Sequence, residues 1–356
     1  MSAPIATPWL SSQSDQDPRS ATGKRLRWGV IATGGIARSV SQDLALLSDA
    51  ELYAVSSRSQ GTAEKFAADY GFAKAYGDDD GVPGYQRLLA DESVDVVYVA
   101  TPHAQHHEIV LAALHAGKHV LCEKAFTINA REASELVDLA RERKLFLMEA
   151  VWSRFLPGMQ RAFEIAASGE LGDVHWVTAD LGFPAPYSPT SRLWARQDGG
   201  GALLDISVYP LLWAVGTLGF PQTVSATGFI NDDGVDAQNA LTLGYNHGAQ
   251  AQLTSSLLAF GPRTATVAGS LGYLQSVGSI NNPRELVIGV GREALRTETF
   301  DVVGIGYTYE LREVTRCIQQ GLTESPVMPL EDSIKTMRFF DGVRGQLGVS
   351  YPNDAH

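Results

Sequence analysis

The chain has 356 residues, of which 44% are hydrophobic and 19% charged, and its formal net charge is −12 at pH 7. The length suits two hydrophobic cores rather than one. The acidic balance argues against a nucleic-acid partner, because binding to a phosphate backbone requires a basic surface. No apolar run approaches the roughly 18 residues of a membrane-spanning helix, so we expect no membrane partner.

Neither the N-terminus nor the cysteines indicate export. Residues 1–23 lack both the basic start and the apolar stretch of a signal peptide. Their polar composition predicts a disordered tail, which we place at residues 1–25. Cys122 and Cys317 are far apart and lack the spacing of metal ligands. We therefore expect two reduced, buried thiols in a cytoplasmic protein without a metal site.

Residues 26–150 alternate between apolar strands and amphipathic helices. Five strands are predicted, and the helices between them carry apolar residues at helical spacing; the strands are "LRWGVIA", "AELYAVSS", "VDVVYVAT", "HVLCE" and "LFLMEA". Asn129 and Glu132 have the spacing of a capping box at the start of the helix before the last strand. Strands that alternate with helices in this way predict an α/β domain of the Rossmann type, with a doubly wound parallel sheet.

The pattern changes after residue 151. Glycine and proline become frequent, and several strand-like runs follow one another without regular helices between them. This pattern favours a mostly antiparallel, open sheet. Helices are predicted near 201–217, 307–320 and 330–345. We place the domain boundary near residue 150 and expect residues 151–356 to form a C-terminal α/β domain for substrate binding and oligomerisation.

The turn after the first strand resembles a dinucleotide-binding fingerprint. In "GVIATGGIARS", the three small-residue positions of G-x-G-x-x-G/A fall on Ala32, Gly34 and Ala37. The middle glycine lets a pyrophosphate approach the backbone, and the helix that follows offers unpaired N–H groups. A plain tight turn is the alternative.

The end of the second strand indicates which dinucleotide binds. NAD enzymes usually place a carboxylate there for the ribose 2′-hydroxyl, but this chain has Ser57 followed by Arg58. A hydroxyl and a guanidinium suit a 2′-phosphate, whereas a carboxylate would repel it. We therefore predict NADP rather than NAD, the alternative being a solvated arginine at a strand end.

Two further strands end in polar residues on the predicted ligand-binding edge. "TPHAQHH" contains Thr101, His103 and His106, and "CEKA" contains Glu123 and Lys124. A lysine at a buried strand end is partly desolvated, and Glu123 is its natural counter-charge. A structural ion pair is the alternative for these two residues, and a supporting or surface role is the alternative for the histidines.

A glycine run precedes the second candidate cluster. In "GGGALLDISVYPL", Asp205 and Tyr209 are an i, i+4 pair if residues 201–217 form one helix. A cation beside a tyrosine lowers the pKa of its hydroxyl, which suits a group that accepts the proton of an alcohol during oxidation. A packed core tyrosine is the alternative.

Taken together, "GVIATGGIA", "TPHAQHH", "GKHVLCEKA" and "GGGALLDISVY" resemble the glucose-fructose oxidoreductase/inositol dehydrogenase family. Within it, "LFLMEAVWSRFLP" and "ESPVMPL" resemble the branch of dimeric dihydrodiol dehydrogenase and NADP-dependent D-xylose 1-dehydrogenase. The resemblance implies a Rossmann domain and an open C-terminal sheet that forms a homodimer or homotetramer interface. It also implies that Lys124, Asp205 and Tyr209 are catalytic.

The same resemblance assigns the remaining site residues and shows two departures. The expected cofactor-binding residues are Thr33, Gly34, Gly35, Ile36, Ser57, Arg58, Thr101, His103, His106, Glu123 and Lys124. Ala32 stands where the family fingerprint has its first glycine, and Ala125 stands where the family has a proline after the lysine. That proline's peptide bond is often cis, so the geometry of the Lys124–Ala125 bond stays open.

Three more residues are candidates for substrate contact. Trp152 and Arg154 follow the domain junction, where an indole could stack on a sugar and a guanidinium could bond hydroxyls. Trp194 lies with Arg192 in a loop before the glycine run, which could close over substrate. A packed tryptophan at the junction is the alternative for Trp152.

The expected function is hydride transfer between NADP and a hydroxyl-bearing carbon of a polyhydroxylated small molecule. A sugar such as an aldose, a cyclitol or a trans-dihydrodiol fits this chemistry. Two alternatives stay open: a keto-sugar reductase of the same family, and a non-catalytic NADP-binding regulatory protein on the same fold.

Overall fold

The computed structural model describes residues 17–291 and 295–355. The chain forms two compact units. The described residues of the first unit are 17–152 and 303–334, and those of the second are 153–291, 295–302 and 335–355. Residues 303–334 therefore return to the first unit, whereas the sequence analysis divided the chain once, near residue 150.

The first unit is built on a six-stranded parallel sheet. Its strands are β1 (Leu26–Ile31), β2 (Ala50–Ser56), β3 (Lys74–Tyr76), β4 (Val96–Val99), β5 (His119–Glu123) and β6 (Leu147–Ala150). Their order is β3-β2-β1-β4-β5-β6, with every pairing parallel. β4, in the middle of the sheet, and β6, at its edge, are both buried throughout, as expected for strands covered on both faces. This sheet confirms the predicted Rossmann architecture and adds one strand, the short β3.

Helices connect these strands as right-handed crossovers require. They are α1 (Gly35–Leu44), α2 (Gln60–Tyr70), α3 (Gly84–Leu89), α4 (His106–His115) and α5 (Ala130–Arg143). The predicted cap at Asn129 is present, because its side chain accepts a hydrogen bond from the Glu132 N–H at 3.0 Å. The Glu132 carboxylate in turn accepts from the Ile128 N–H at 3.2 Å. These bonds fix the start of α5 and therefore the chain that follows Lys124.

The second unit is built on an eight-stranded sheet with helices packed against it. The helices are α6 (Pro157–Ser168), α7 (Ala202–Ile206) and α8 (Val208–Leu218). The strands are β7 (Val174–Gly182), β8 (Thr223–Ile230), β9 (Asp236–Gly244), β10 (Gln250–Ser256), β11 (Ala265–Gly269), β12 (Gly272–Ser279), β13 (Asn282–Val290) and β14 (Arg296–Thr299). Their order is β14-β13-β12-β11-β7-β10-β9-β8, and β7 with β10 is a parallel pair among antiparallel ones. This confirms the predicted mostly antiparallel sheet.

Two C-terminal helices, α9 (Thr308–Gln319) and α10 (Leu330–Leu347), lie close to their predicted ranges. The segment before α9 is fastened to the first unit by Asp43 of α1, whose carboxylate is almost wholly buried. That carboxylate accepts hydrogen bonds from the backbone N–H groups of Ile305, Gly306 and Tyr307 at 2.8–3.1 Å. Acceptors at a helix start satisfy donors that the helix itself leaves open. This contact explains why residues 303–334 fold back onto the first unit.

Most of the tail expected to be disordered, residues 1–16, lies outside the described residues. Residues 17–24 contact the first unit. The Arg312 guanidinium of α9 donates to the Pro18 carbonyl at 2.8 Å and to both carboxylate oxygens of Asp49 at 2.6 and 2.9 Å. The Thr22 N–H donates to the same carboxylate at 2.8 Å. The described part of the tail is therefore held by a buried ion pair.

Within the described ranges, no single helix is both long and apolar enough to cross a bilayer. The bent pair Arg196–Ile206 and Val208–Leu218 satisfies that length and composition when taken together. The two halves meet at an angle of 43°.

Candidate active site

The glycine-rich turn connects β1 to α1. Ala32 has a φ of +94°, a conformation that favours glycine, and its N–H donates to the Ser56 carbonyl at 3.1 Å. Gly34 precedes α1 without a side-chain cap, and the first turn of α1 carries no acidic residue. A Cβ built at Gly34 or Gly35 meets nothing within 4 Å. The helix start is therefore open and electropositive, and its residues, with Thr33 and Ile36 beside them, fit a dinucleotide phosphate.

The end of β2 lies beside this turn. The Ser57 hydroxyl is 3.4 Å from the Thr33 hydroxyl, and Arg58 is exposed. The neighbouring segment carries Asp78, whose carboxylate accepts a hydrogen bond from the Gly84 N–H at the start of α3 (2.7 Å). Its own N–H donates to the Arg58 carbonyl. Ser57 and Arg58 can thus hold a phosphate group without a carboxylate in the same position.

The register of the parallel strands gathers the other predicted residues of the first unit. Ile31 of β1 pairs with Val99 of β4, and Val99 pairs with Cys122 of β5. The residues that follow these three positions therefore lie along one edge of the sheet. This edge brings together the glycine-rich turn, Thr101 with His103 and His106, and Glu123 with Lys124.

His106 braces this edge from inside the protein. Its side chain is fully buried, with Nδ1 2.9 Å from the Ala125 carbonyl oxygen and Nε2 2.9 Å from the Thr101 carbonyl oxygen. Burial lowers the pKa of His106, and the positive charge of Lys124 lowers it further. The hydrogen bonds to the Thr101 and Ala125 carbonyl groups oppose this shift. His103 is also buried and makes an edge-to-face contact with the His106 ring. The position of His106 is that of a residue that supports the lysine segment.

The Glu123 carboxylate anchors the same segment. It accepts a short 2.5 Å hydrogen bond from the Tyr98 hydroxyl of β4 and a 3.2 Å bond from the Lys124 N–H. Burial, followed by the charge of Glu123, raises the pKa of Tyr98 well above its usual value, so this phenol stays protonated and donates. Lys124 itself is half-buried, and the Lys124–Ala125 peptide bond is cis. The geometry left open by the missing proline is therefore the cis one.

A second buried carboxyl group, Glu310 of α9, lies in this region. Burial raises its pKa well above the usual range, and the negative charges of Glu123 and Asp43 raise it further. Burial and these two negative charges therefore favour the neutral, protonated form of Glu310. The negative charge of Glu123 therefore acts on two buried groups, the Tyr98 phenol and the Glu310 carboxyl group.

The second unit places Asp205 and Tyr209 on two helices, not on one. α7 ends at Ile206 and α8 begins at Val208, so the single helix expected over 201–217 is wrong. Pro210 has no N–H to donate to the Ile206 carbonyl, and its ring crowds that carbonyl. Ser207 occupies the break, where its hydroxyl donates to the Ser255 hydroxyl at 2.8 Å.

A buried acid fixes the start of α7. Asp236 accepts hydrogen bonds from the Leu203 N–H at 2.8 Å and from the Asn239 side chain at 3.0 Å. Gly201 has a φ of +122°, and a Cβ built there would lie 2.1 Å from the Asp236 carboxylate. Gly201 is therefore required by the close approach of this acid. Complete burial raises the pKa of Asp236 to about 7.

Asp205 and Tyr209 are both buried, at 4% and 8% exposure. The Asp205 carboxylate accepts a 2.6 Å hydrogen bond from Nη1 of Arg192. Sequence reasoning named Arg192 only as part of a loop, because nothing in the chain marks a partner 13 residues away. Tyr98 and Asp236 were missed for the same reason. In the sequence, Tyr98 resembles an ordinary core residue of a strand, and Asp236 resembles an ordinary turn residue.

The three expected substrate residues are all buried. Trp152 is 6% exposed and stacks on Tyr307, with ring centroids 4.7 Å apart, and Arg154 is 2% exposed. Trp194 is 2% exposed, and its indole N–H donates to the Pro186 carbonyl at 3.1 Å. Their role in substrate contact stays a prediction.

The part of the chain that the structure describes contains no group of three or more His, Cys, Asp or Glu side chains arranged to hold a metal ion. Cys122 and Cys317 are buried free thiols.

Comparison with known proteins decides the family. A profile described as "Oxidoreductase family, NAD-binding Rossmann fold" matches residues 26–151, and one described as "GFO/IDH/MocA C-terminal domain" matches residues 159–275. The chain belongs to the GFO/IDH/MocA oxidoreductase family. The resemblance stated from the sequence motifs is thus confirmed, and the protein is an oxidoreductase with an NAD(P)-binding Rossmann domain.

Members of the GFO/IDH/MocA family resemble this chain over nearly its full length. A mouse protein, trans-1,2-dihydrobenzene-1,2-diol dehydrogenase, is 36% identical over 338 residues, which are 92% of this chain and 99% of the relative. The crystal structure of a 3-ketoreductase from Actinomadura kijaniata in complex with NADP and TDP-benzene is 28% identical, covers 91% of this chain and 98% of its own, and has a TM-score of 0.78. An aldose-aldose oxidoreductase from Caulobacter crescentus, complexed with glycerol, shares the fold at 23% identity and a TM-score of 0.80, covering 91% of this chain and 97% of its own.

The buried acid that fixes α7 makes a testable contribution to stability. Because the pKa of Asp236 is about 7 in the folded protein and 3.8 for an unperturbed aspartate, the folded state holds a proton that the unfolded state releases between these pH values. The free energy of unfolding should therefore fall as the pH rises through this window. Urea unfolding of Asp236→Asn should show a smaller fall between about pH 5 and about pH 8 than the wild type.

Asp232→Asn is the matched control, because Asp232 lies in the turn just before Asp236 but is exposed. It should keep the pH dependence of the wild type. Identical pH dependence in Asp236→Asn and the wild type would contradict the assignment.

Proposed function

We propose that the protein is an NADP-dependent dehydrogenase that oxidises a hydroxyl-bearing carbon of a polyhydroxylated small molecule. The substrate classes are aldoses such as xylose, cyclitols and trans-dihydrodiols. The observation that carries the proposal is the position of Lys124, directly after β5 and on the same sheet edge as the open start of α1. The 36% identity to a trans-dihydrodiol dehydrogenase supports this substrate chemistry.

The preference for NADP rests on Ser57 and Arg58. A guanidinium and a hydroxyl at the end of β2 can bond a 2′-phosphate, and the position carries no acid that would repel it. The related 3-ketoreductase was crystallised with NADP, which supports the same choice.

The proposed mechanism separates hydride transfer from proton transfer. The chemistry that NADP supplies when bound is hydride acceptance from the carbon that carries the hydroxyl group. The phenol oxygen of Tyr209 takes the hydroxyl proton, and the Lys124 ammonium stabilises the negative charge of the phenolate that this transfer requires. The Asp205 carboxylate orients Lys124 or accepts a hydrogen bond from a substrate hydroxyl. His106 and Glu123 keep the lysine segment in position through their contacts on either side of it.

Reduction of a keto-sugar is the second candidate activity. The same residues return a proton to the carbonyl oxygen when the reaction runs in reverse, and the 28% identity to a 3-ketoreductase favours testing this direction. The non-catalytic alternative is disfavoured, since the relatives are named as dehydrogenases.

A panel of aldoses, cyclitols, trans-dihydrodiols and keto-sugars, followed by the absorbance of NADPH, tests the proposal. Absence of turnover in both directions would overturn it.

We also propose that the protein is a cytoplasmic homodimer or homotetramer that associates through the second-unit sheet. Trp176 of β7 pairs laterally with Ala268 and Gln250, and Ala268 pairs with Tyr273, so these side chains share one face. Trp176 and Tyr273 are 43% and 37% exposed, whereas Val177 and Ala179, which point to the other face, are buried. An exposed aromatic face of this kind suits a protein interface.

The first prediction from the proposed function concerns cofactor choice. Arg58→Ala should lower kcat/KM for NADP by about 10-fold or more and leave kcat/KM for NAD nearly unchanged, because only the 2′-phosphate loses a charged hydrogen bond. Steady-state kinetics with both cofactors measures this. Arg141→Ala, which removes an exposed arginine from α5, should change neither value. A wild-type preference for NAD would refute the assignment.

The second prediction concerns the proton transfer. Lys124→Ala and Tyr209→Phe should each lower kcat by at least about 10²-fold, the usual scale for general acid–base catalysis. NADPH binding, followed by fluorescence, should be retained. Lys65→Ala and Tyr70→Phe change residues of the same types on α2 and should keep the wild-type kcat. A normal kcat in both site variants is the result that the mechanism does not allow.

The third prediction concerns assembly. Trp176→Glu should convert the oligomer to a monomer, since it places a charge in the centre of an apolar contact. Light scattering coupled to size exclusion measures the mass. Leu46→Glu, a matched change at an exposed leucine of the first unit, should keep the wild-type mass. A monomeric wild-type protein would contradict the proposal.

A further inference from the structure

The ion pair between Arg192 and Asp205 is asymmetric. Nη1 of Arg192 lies 2.6 Å from Oδ1 of Asp205, and the Arg192 side chain is 58% exposed while that of Asp205 is 6% exposed. A buried carboxylate without a cation loses hydration and gains little in return. The guanidinium therefore compensates the charge of Asp205 and still faces solvent.

The loop that carries Arg192 is held firmly on both sides. Trp194 fills its interior and makes an edge-to-face contact with Tyr187, whose hydroxyl donates to the Asp233 carboxylate at 2.7 Å. The backbone N–H of Trp194 donates to the Ser191 carbonyl at 2.9 Å. The Leu193 carbonyl accepts from the backbone N–H of Gly201 at 3.0 Å. The backbone on each side of Arg192 is thus fixed against the glycine run that starts α7.

Asp205 is held at its other end by the helix break. α7 ends one residue after Asp205, and Ser207 is bonded to Ser255 and to the Ala202 carbonyl. The position of the Asp205 carboxylate is therefore fixed by the backbone of α7 and by the Arg192 guanidinium. A group held in this way is oriented before any substrate arrives.

We infer that Arg192 is a positioning residue that orients the catalytic carboxylate of Asp205. This inference rests on the proposed function, because Asp205 is assigned to catalysis there. Arg192 then acts on the reaction through Asp205, and the loop of residues 183–199 contributes to catalysis by holding Arg192 in place. The Arg192–Asp205 ion pair has no net charge, which suits a neutral, hydroxylated substrate.

Removal of the guanidinium tests the inference. Arg192→Ala should lower kcat by about 10²-fold, the scale of a misplaced catalytic group, with NADP and either D-xylose or trans-1,2-dihydrobenzene-1,2-diol as substrate. Arg192→Lys should recover part of the loss, because an ammonium supplies the charge without the planar geometry. Free guanidinium ion added to Arg192→Ala should raise kcat with saturation, whereas urea, which has a similar shape and no charge, should not.

The matched control is Arg196→Ala. Arg196 is an exposed arginine of the same loop that bonds to Ser350 and not to Asp205. This variant should keep the wild-type kcat, and guanidinium should not raise it. Thermal unfolding of all variants reports whether the loop change affects folding.

The outcomes separate this inference from the proposed function. An active wild type with an unchanged kcat in Arg192→Ala overturns the inference and leaves the proposed function standing. A loss that guanidinium and urea affect equally also overturns it, since the role of Arg192 is then structural. A wild type that turns over no member of the substrate panel overturns the proposed function and this inference with it.

Discussion

The parallel register of β1, β4 and β5 is the constraint on which the rest of the first unit depends. Ile31, Val99 and Cys122 pair in a row, so the segments that follow them must share one edge of the sheet. An open helix start, a buried histidine and a half-buried lysine are thereby placed together although they lie far apart in the chain. The contacts of His106 with Ala125 and Thr101 show that this edge is packed as one structure.

Buried polar groups then fix the details that a register alone leaves free. Tyr98 and Glu123 determine the direction of the chain at Lys124, and Asp236 determines where α7 begins. Each of these groups is fully or almost fully buried and is bonded to backbone or to a second side chain. Such bonds are costly to break, because burial leaves no water to replace the partner. The candidate catalytic side chains thus rest on hydrogen bonds that are themselves shielded from solvent.

The sequence predicted the regular features and missed those set by contacts distant in the chain. Strand and helix patterns located five strands of the first sheet, and motif spacing identified the turn at Gly34 and the lysine after β5. β3 was missed because three half-exposed residues show no alternation, and α6 was missed among the Gly- and Pro-rich segments around it. The break at Ser207 follows from Pro210 but was hidden by helical spacing. The return of residues 303–334 depends on Asp43, some 260 residues earlier, and no local pattern reveals it.

The central claim is that the Lys124 ammonium and the Tyr209 phenol act on one substrate hydroxyl. A crystal structure of the protein with NADP and the best polyol of the panel measures this most directly. The account predicts that Nζ of Lys124 and the hydroxyl oxygen of Tyr209 both lie within about 3.2 Å of the hydroxyl that is oxidised. A complex in which either side chain is turned into packing, away from the bound polyol, would contradict it.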